Sequence, residues 1–67
     1  MLKLKTICKV IVGTSVNVFS QSHHGYLAWE SSPEVIGSSF GDESVVEMYT
    51  VMPERLDRAP YITIVVA

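Results

Sequence analysis

Residues 25–56 read GYLAWESSPEVIGSSFGDESVVEMYTVMPERL, and the fold turns on the second half of that stretch. Ser44 is a favourable N-cap, and Glu47, three residues on, can reach back to its amide in the reciprocal arrangement of a capping box. Val45, Met48, Tyr49, Met52 and Leu56 then recur at the spacing of one helical face, while Glu43, Glu47, Thr50, Glu54, Arg55 and Asp57 fall mostly elsewhere. The pattern predicts one amphipathic helix over 44–57, kinked or restarted at Pro53, which has no N–H for the carbonyl of Tyr49. A helix with a single apolar stripe needs a sheet to lie on.

Working outward, candidate strands flank this helix on both sides. Gln21-Ser22-His23-His24-Gly25 is polar and ends in glycine, so it reads as a hairpin loop joining a strand at 16–20 to an aromatic-rich strand at 26–30. Residues 35–40, broken by Gly37, read as a short third strand with a bend. Tyr61-Ile-Thr-Ile-Val-Val66 is β-branched almost throughout and apolar on both faces, as a central strand under a helix would be. At the amino end, Leu2, Leu4, Cys8, Val10 and Val12 alternate with Lys3, Lys5 and Lys9, the two-residue period of a strand with one wet face. Ile7 and Ile11 fall on that wet face and call for cover from another subunit. The expected fold is α+β: a two-layer β-β-β-α-β domain spanning 1–67, with a largely antiparallel sheet and one amphipathic helix. Whether 1–14 adds an extra N-terminal strand stays open.

Composition narrows the classes. Sixty-seven residues, 48% apolar and 18% charged, are too apolar for a disordered tail and contain no apolar run long enough to span a bilayer. A chain this short buries only about 60% of the surface its unfolded form exposes, and self-association is a natural remedy. The formal net charge is −2, too small for a phosphate mimic and of the wrong sign for a nucleic-acid binder. All seven acids lie between Glu30 and Asp57, while Lys3, Lys5 and Lys9 crowd the amino end. The one cysteine, Cys8, cannot close an internal disulfide, which fits a reducing compartment, and the short Val10-Ile11-Val12 run after Lys9 is no export signal. The expected location is cytoplasmic.

No phosphate-binding glycine loop, zinc-protease pair or nucleophile elbow is present. Adjacent His23 and His24 would point to opposite faces of a strand and have no cysteine or carboxylate at ligand spacing, so neither a metal nor a cofactor is expected. Glu30, Glu34 and Asp42 sit where turns and helix starts favour acids for capping alone. No catalytic residue is assigned, and an enzyme is not expected.

Four motifs in sequence order carry a resemblance: Gly25-Tyr26-Leu27-Ala28, Pro33-Glu34-Val35-Ile36-Gly37, Ser39-Phe40-Gly41-Asp42 and the acidic stretch that follows. Together they resemble the HicB-like antitoxin family, in which a G-Y-x-A strand, a P-E-L-P-G turn and an S-x-G-D-T turn precede an amphipathic helix and a closing strand. Ile36 stands where the second proline would be, Ser31-Ser32 and Glu43 are additional, and residues 1–14 have no counterpart. The resemblance implies the β-β-β-α-β order and a non-catalytic protein-binding module that neutralises a small basic ribonuclease toxin, with no membrane association. Family members often add a DNA-binding segment beyond the last strand, so no direct nucleic-acid binding is carried over to residues 1–67. Trp29, Glu30, Glu34 and Phe40 are the candidate partner-binding residues, as aromatic anchors flanked by acids suit a basic pocket. Two other readings stay open: a stand-alone dimeric structural or regulatory domain without a toxin partner, and a small inhibitor of a DNA-acting enzyme. In the first of these, and in the main reading too, the chain is expected to be a homodimer joined through strands.

Overall fold

The computed structural model describes residues 2–52 and 60–67. Its elements in chain order are α1 (Leu4–Cys8), β1 (Val16–Ser20), β2 (Gly25–Ser31), α2 (Pro33–Phe40), β3 (Val45–Val51) and β4 (Tyr61–Val66). The four strands form one sheet in the order β2-β1-β4-β3. The central pair β1 and β4 is parallel, and each is flanked by an antiparallel neighbour. The chain is thus α+β with a mixed, mostly antiparallel sheet and a helical layer.

Two strands and their hairpin lie where the sequence places them, and Tyr61–Val66 is indeed central. Three assignments are corrected. The stretch 45–51 is not a helix but the edge strand β3, paired antiparallel to β4 through Met48↔Ile64, Tyr49↔Thr63 and Val51↔Tyr61. Five of its seven residues, Val45, Val46, Tyr49, Thr50 and Val51, are β-branched or aromatic, and these lose side-chain freedom in a helix while fitting a pleated surface. The capping-box spacing of Ser44 and Glu47 was outweighed by that preference and by the neighbouring β4. The remainder of the expected helix, residues 53–57, lies outside the described residues.

The second correction is α2, expected as a strand over 35–40. Ser32 is its N-cap, accepting a hydrogen bond on Oγ from the Val35 amide at 3.4 Å, Pro33 occupies the first turn and Glu34 faces the positive end of the helix dipole. Gly37 does not bend a strand here; it faces α1, and a Cβ at that position would stand in contact with the Cβ of Cys8 at 3.4 Å. The third correction is the amino end, where α1 replaces the expected strand. Leu4, Ile7 and Cys8 are all buried, a spacing of three and four rather than two. Ile7, assigned to a wet face, is therefore core, and Ile11 packs against that core, so neither needs a second subunit to cover it. Among the described residues the order is α-β-β-α-β-β, which differs from the β-β-β-α-β order that the family resemblance implied.

The core lies between the helices and one face of the sheet. Leu4, Ile7 and Cys8 from α1 and Ile36 from α2 meet Val16 and Val18 of β1 and Ile64 and Val66 of β4. Burial pushes the Cys8 thiol above its ordinary pKa, so it sits in the core as a neutral apolar group. The first turn of α1 has no side-chain cap; the carbonyls of Glu43 and Gly41 accept from the amides of Leu4 and Lys5 at 2.9 and 3.0 Å instead. Gly41 is buried at this junction, and a Cβ there would overlap the Gly37 carbonyl oxygen and come within 2.9 Å of the Lys5 Cβ. Because backbone atoms stand in the way, Gly41→Ala should lower stability by about 1–3 kcal/mol in chemical denaturation, the usual range for overpacking. A neutral outcome would mean that the α1–α2 junction is looser than this geometry.

Candidate functional site

Both helices pack on one face of the sheet, and the opposite face carries a run of aromatic rings. Along β4 the residues alternate: Ile62, Ile64 and Val66 belong to or pack against the helical core, so Tyr61, Thr63 and Val65 turn to the other side. Register places Phe19 beside Val65 on β1 and Tyr26 beside Phe19 on β2. Phe19 and Tyr26 meet edge to face, with centroids 5.2 Å apart at 79°. Tyr26 and Trp29 do the same at 4.8 Å and 90°, and Trp29 reaches within 6.4 Å of Tyr61. Edge-to-face contacts of this kind satisfy the ring quadrupoles and hold the rings in defined positions.

Trp29 on β2 can touch Tyr61 on β4 only by crossing β1, and the residue of β1 beneath it is Asn17. Asn17 is accordingly 1% exposed although it lies on the helix-free face, next to Thr63 at 3%. Its Oδ1 accepts a 2.7 Å hydrogen bond from the Glu30 amide. That bond anchors the bulged end of β2, where the ladder shifts register and Glu30 adopts a left-handed φ of 47°. The bulge is how Trp29 comes to lie across the sheet.

On the opposite edge, the register shift between Val45 and Glu47 changes which face each residue of β3 presents. Val45 packs on the helical core, whereas Glu47 and Tyr49 lie across from Val65 and Thr63 on the helix-free face. Tyr26 at 52%, Trp29 at 55% and Tyr49 at 46% are left exposed. Among the described residues the cations, Lys3, Lys5 and Lys9, belong to α1 and its flanks. Lys3 and Lys5 are turned toward Asp42, donating to its carbonyl at 3.1 Å and its carboxylate at 3.4 Å. Among the described residues, the helix-free face is therefore aromatic and carries Glu47, and the lysines belong to the helical side.

Of the four residues singled out from sequence, the structure brings Trp29 and Glu30 together at the bulge and separates them from the other two. Glu34 lies in the first turn of α2 and lines a cleft of about 240 Å³ with Lys5, Cys8 and Lys9 on the helical side. Phe40 ends α2 and is half-buried, packed against the core on the helical side. The residues missed were Tyr26, Tyr49 and Tyr61. The two-residue period of 61–65 could have shown Tyr61, but Tyr26 shares a face with Trp29 only through the register shift between them, which simple alternation hides, and Tyr49 was hidden by the helical reading of its segment.

The His23-His24 loop forms the β1–β2 turn. His23 Nδ1 lies 3.0 Å from Ser20 Oγ and 3.2 Å from Ser22 Oγ, and the His23 amide donates to Ser20 Oγ at 3.3 Å. Two hydroxyls sharing one ring nitrogen close the turn locally. Among the described residues no three histidine, cysteine or carboxylate side chains gather in a metal-binding arrangement, and no helix is long and apolar enough to cross a membrane.

Compared with known proteins, the chain matches no family model, no curated protein and no solved structure.

Proposed function

We propose that this chain is a non-catalytic protein-binding module whose binding surface is the helix-free face of the sheet. The observation that carries the reading is the exposed, edge-to-face pair Tyr26–Trp29, with Trp29 tilted toward the half-buried Tyr61, on a face where no helix lies among the described residues. Large aromatic side chains held in place by their neighbours lose little freedom on binding, and they are the residues on which interface energy concentrates. The partner that fits is basic, because Glu47 lies on that face across from Val65 and no cation among the described residues shares it.

A small basic ribonuclease is the partner that the HicB-like resemblance suggests, and neutralising one is the activity to test. The sheet face supports a protein partner of matching charge, while the identity of that partner rests on the resemblance alone. A stacking platform for single-stranded nucleic acid would use similar rings, but it adds a cationic track for the phosphates, and the described face lacks one.

The experiment is co-expression with small basic ribonucleases encoded beside this chain, followed by titration of the purified pair. Glu47→Lys on the sheet face should weaken binding and slow association, and the slowing should grow as salt is lowered from the ionic strength where the Debye length is about 8 Å. Glu34→Lys, on the helical side, should leave binding unchanged. Equal losses from both substitutions would contradict the sheet-face assignment, and ribonuclease toxicity that persists undiminished in the presence of this chain would contradict the partner class.

A further inference from the structure

We propose that the outer edge of β3 pairs with β3 of a second copy of this chain, joining two four-stranded sheets into one of eight strands. The two edges of the sheet are built differently. The β2 edge is interrupted by two register shifts and by the left-handed backbone at Glu30, devices that keep an edge from templating another strand. The β3 edge has one register shift, at its amino end between Val45 and Glu47, and otherwise runs without interruption, with seven residues, no proline and a single charge, Glu47. Val46, Met48 and Thr50 are exposed along it. An edge of that kind presents unpaired amides and carbonyls that another strand satisfies best.

The amino end of this edge is already in use. The amide of Val45 donates to the Leu2 carbonyl at 2.9 Å, and the Glu43 carbonyl accepts from the Leu4 amide at 2.9 Å. A second strand can therefore begin only after Val45. Two-fold symmetry then closes the equivalent position at the other end, which leaves 46–50 as the pairing stretch and puts Met48 on the axis. In that register Glu47 lies opposite the partner's Tyr49 and Val46 opposite the partner's Thr50, so no like charges face each other. Centring the axis on Glu47 instead would set two carboxylates directly opposite.

A second copy is the occupant because the edge is self-complementary in this register and because so small a core is marginal alone. An antiparallel pair of this kind has its two-fold axis perpendicular to the sheet. Both helical layers then lie on one side and both aromatic faces on the other, giving two copies of the Trp29 surface side by side. This association does not depend on the partner proposed above.

The test is sedimentation equilibrium across the micromolar range with Met48→Lys as the variant, since Met48 is 50% exposed and its replacement sets two ammonium groups on the axis. The native chain should sediment at twice 7.4 kDa, and the variant should dimerise roughly tenfold more weakly or worse with unchanged far-UV circular dichroism. On the native chain alone, amide exchange at Met48 and Thr50 should slow as concentration rises. The proposal is overturned by a chain that stays at 7.4 kDa throughout, or by a dimer that Met48→Lys leaves intact. Exchange in β3 that ignores concentration would overturn it equally, as would a dimer broken by Trp29→Lys and not by Met48→Lys.

Discussion

Ile64→Ala should cost about 2–5 kcal/mol of folding stability, while Met48→Ala, one strand away in the same register, should cost well under half of that. The two side chains are paired across β3 and β4, yet Ile64 is fully buried at the centre of the core and Met48 is half exposed at the sheet edge. Removing the Ile64 methyl and methylene groups leaves a cavity among Val16, Val18, Leu4 and Ile36, which the parallel β1–β4 pair cannot close without breaking its own ladder. For a domain of this size each kcal/mol moves the melting midpoint by about 4–8 °C, so the Ile64 variant should be largely unfolded near physiological temperature. Urea titrations of the two variants decide between a strand and a helix at 45–51. If that segment were the helix read from sequence, Met48 would be core and the two losses would be alike.

The second large effect is on binding. Trp29→Ala should reduce affinity for a basic protein partner by about 2 kcal/mol or more, the scale of a hot-spot residue, with a smaller effect on folding. Trp29 is the ring that joins Tyr26 to Tyr61 across the sheet, so its loss unseats its neighbours as well as removing its own contact area. Phe40→Leu, on the other layer, should change stability and leave affinity alone. Calorimetric titration of both variants against the same partner separates the two roles.

The parts of this fold that were legible in the sequence are those whose partners are close at hand or whose residue types admit one answer. The hairpin of β1 and β2 is announced by its polar, glycine-ended loop, and β4 by a run of β-branched residues. The start of α2 was equally present, in Ser32-Pro33-Glu34, an N-cap followed by a first-turn proline and a first-turn acid. It was outweighed by Gly37, read as a bend in a strand, whereas it sits within α2 facing Cys8. The segment 45–51 was misread because apolar residues at 45, 48, 49 and 52 satisfy a helical period as well as a strand with both faces partly covered. Only the long-range pairing to β4, invisible to local periodicity, separates the two. At the amino end, Leu4, Ile7 and Cys8 carry the helical period, but the alternating lysines imitate a strand.

The proposed binding face was legible only in its most obvious member. Trp29 stands out in any reading, but its meaning depends on which side of the sheet the helices cover. That in turn depends on α1 and α2, both read as strands. Glu34 and Phe40 were joined to Trp29 by closeness in sequence, and the turn into α2 carries them to the other layer.

The claim on which the functional account rests is that the aromatic face is uncovered and that Trp29 is its centre. Trp29 is the sole tryptophan, so acrylamide quenching of its fluorescence reports on that face alone. The account predicts emission characteristic of a partly hydrated indole, a quenching constant near half that of a free tryptophan derivative, as its 55% exposure implies, and a clear drop in quenching when a basic partner binds. Blue-shifted emission with almost no quenching in the free protein, or quenching that a bound partner leaves unchanged, would contradict it.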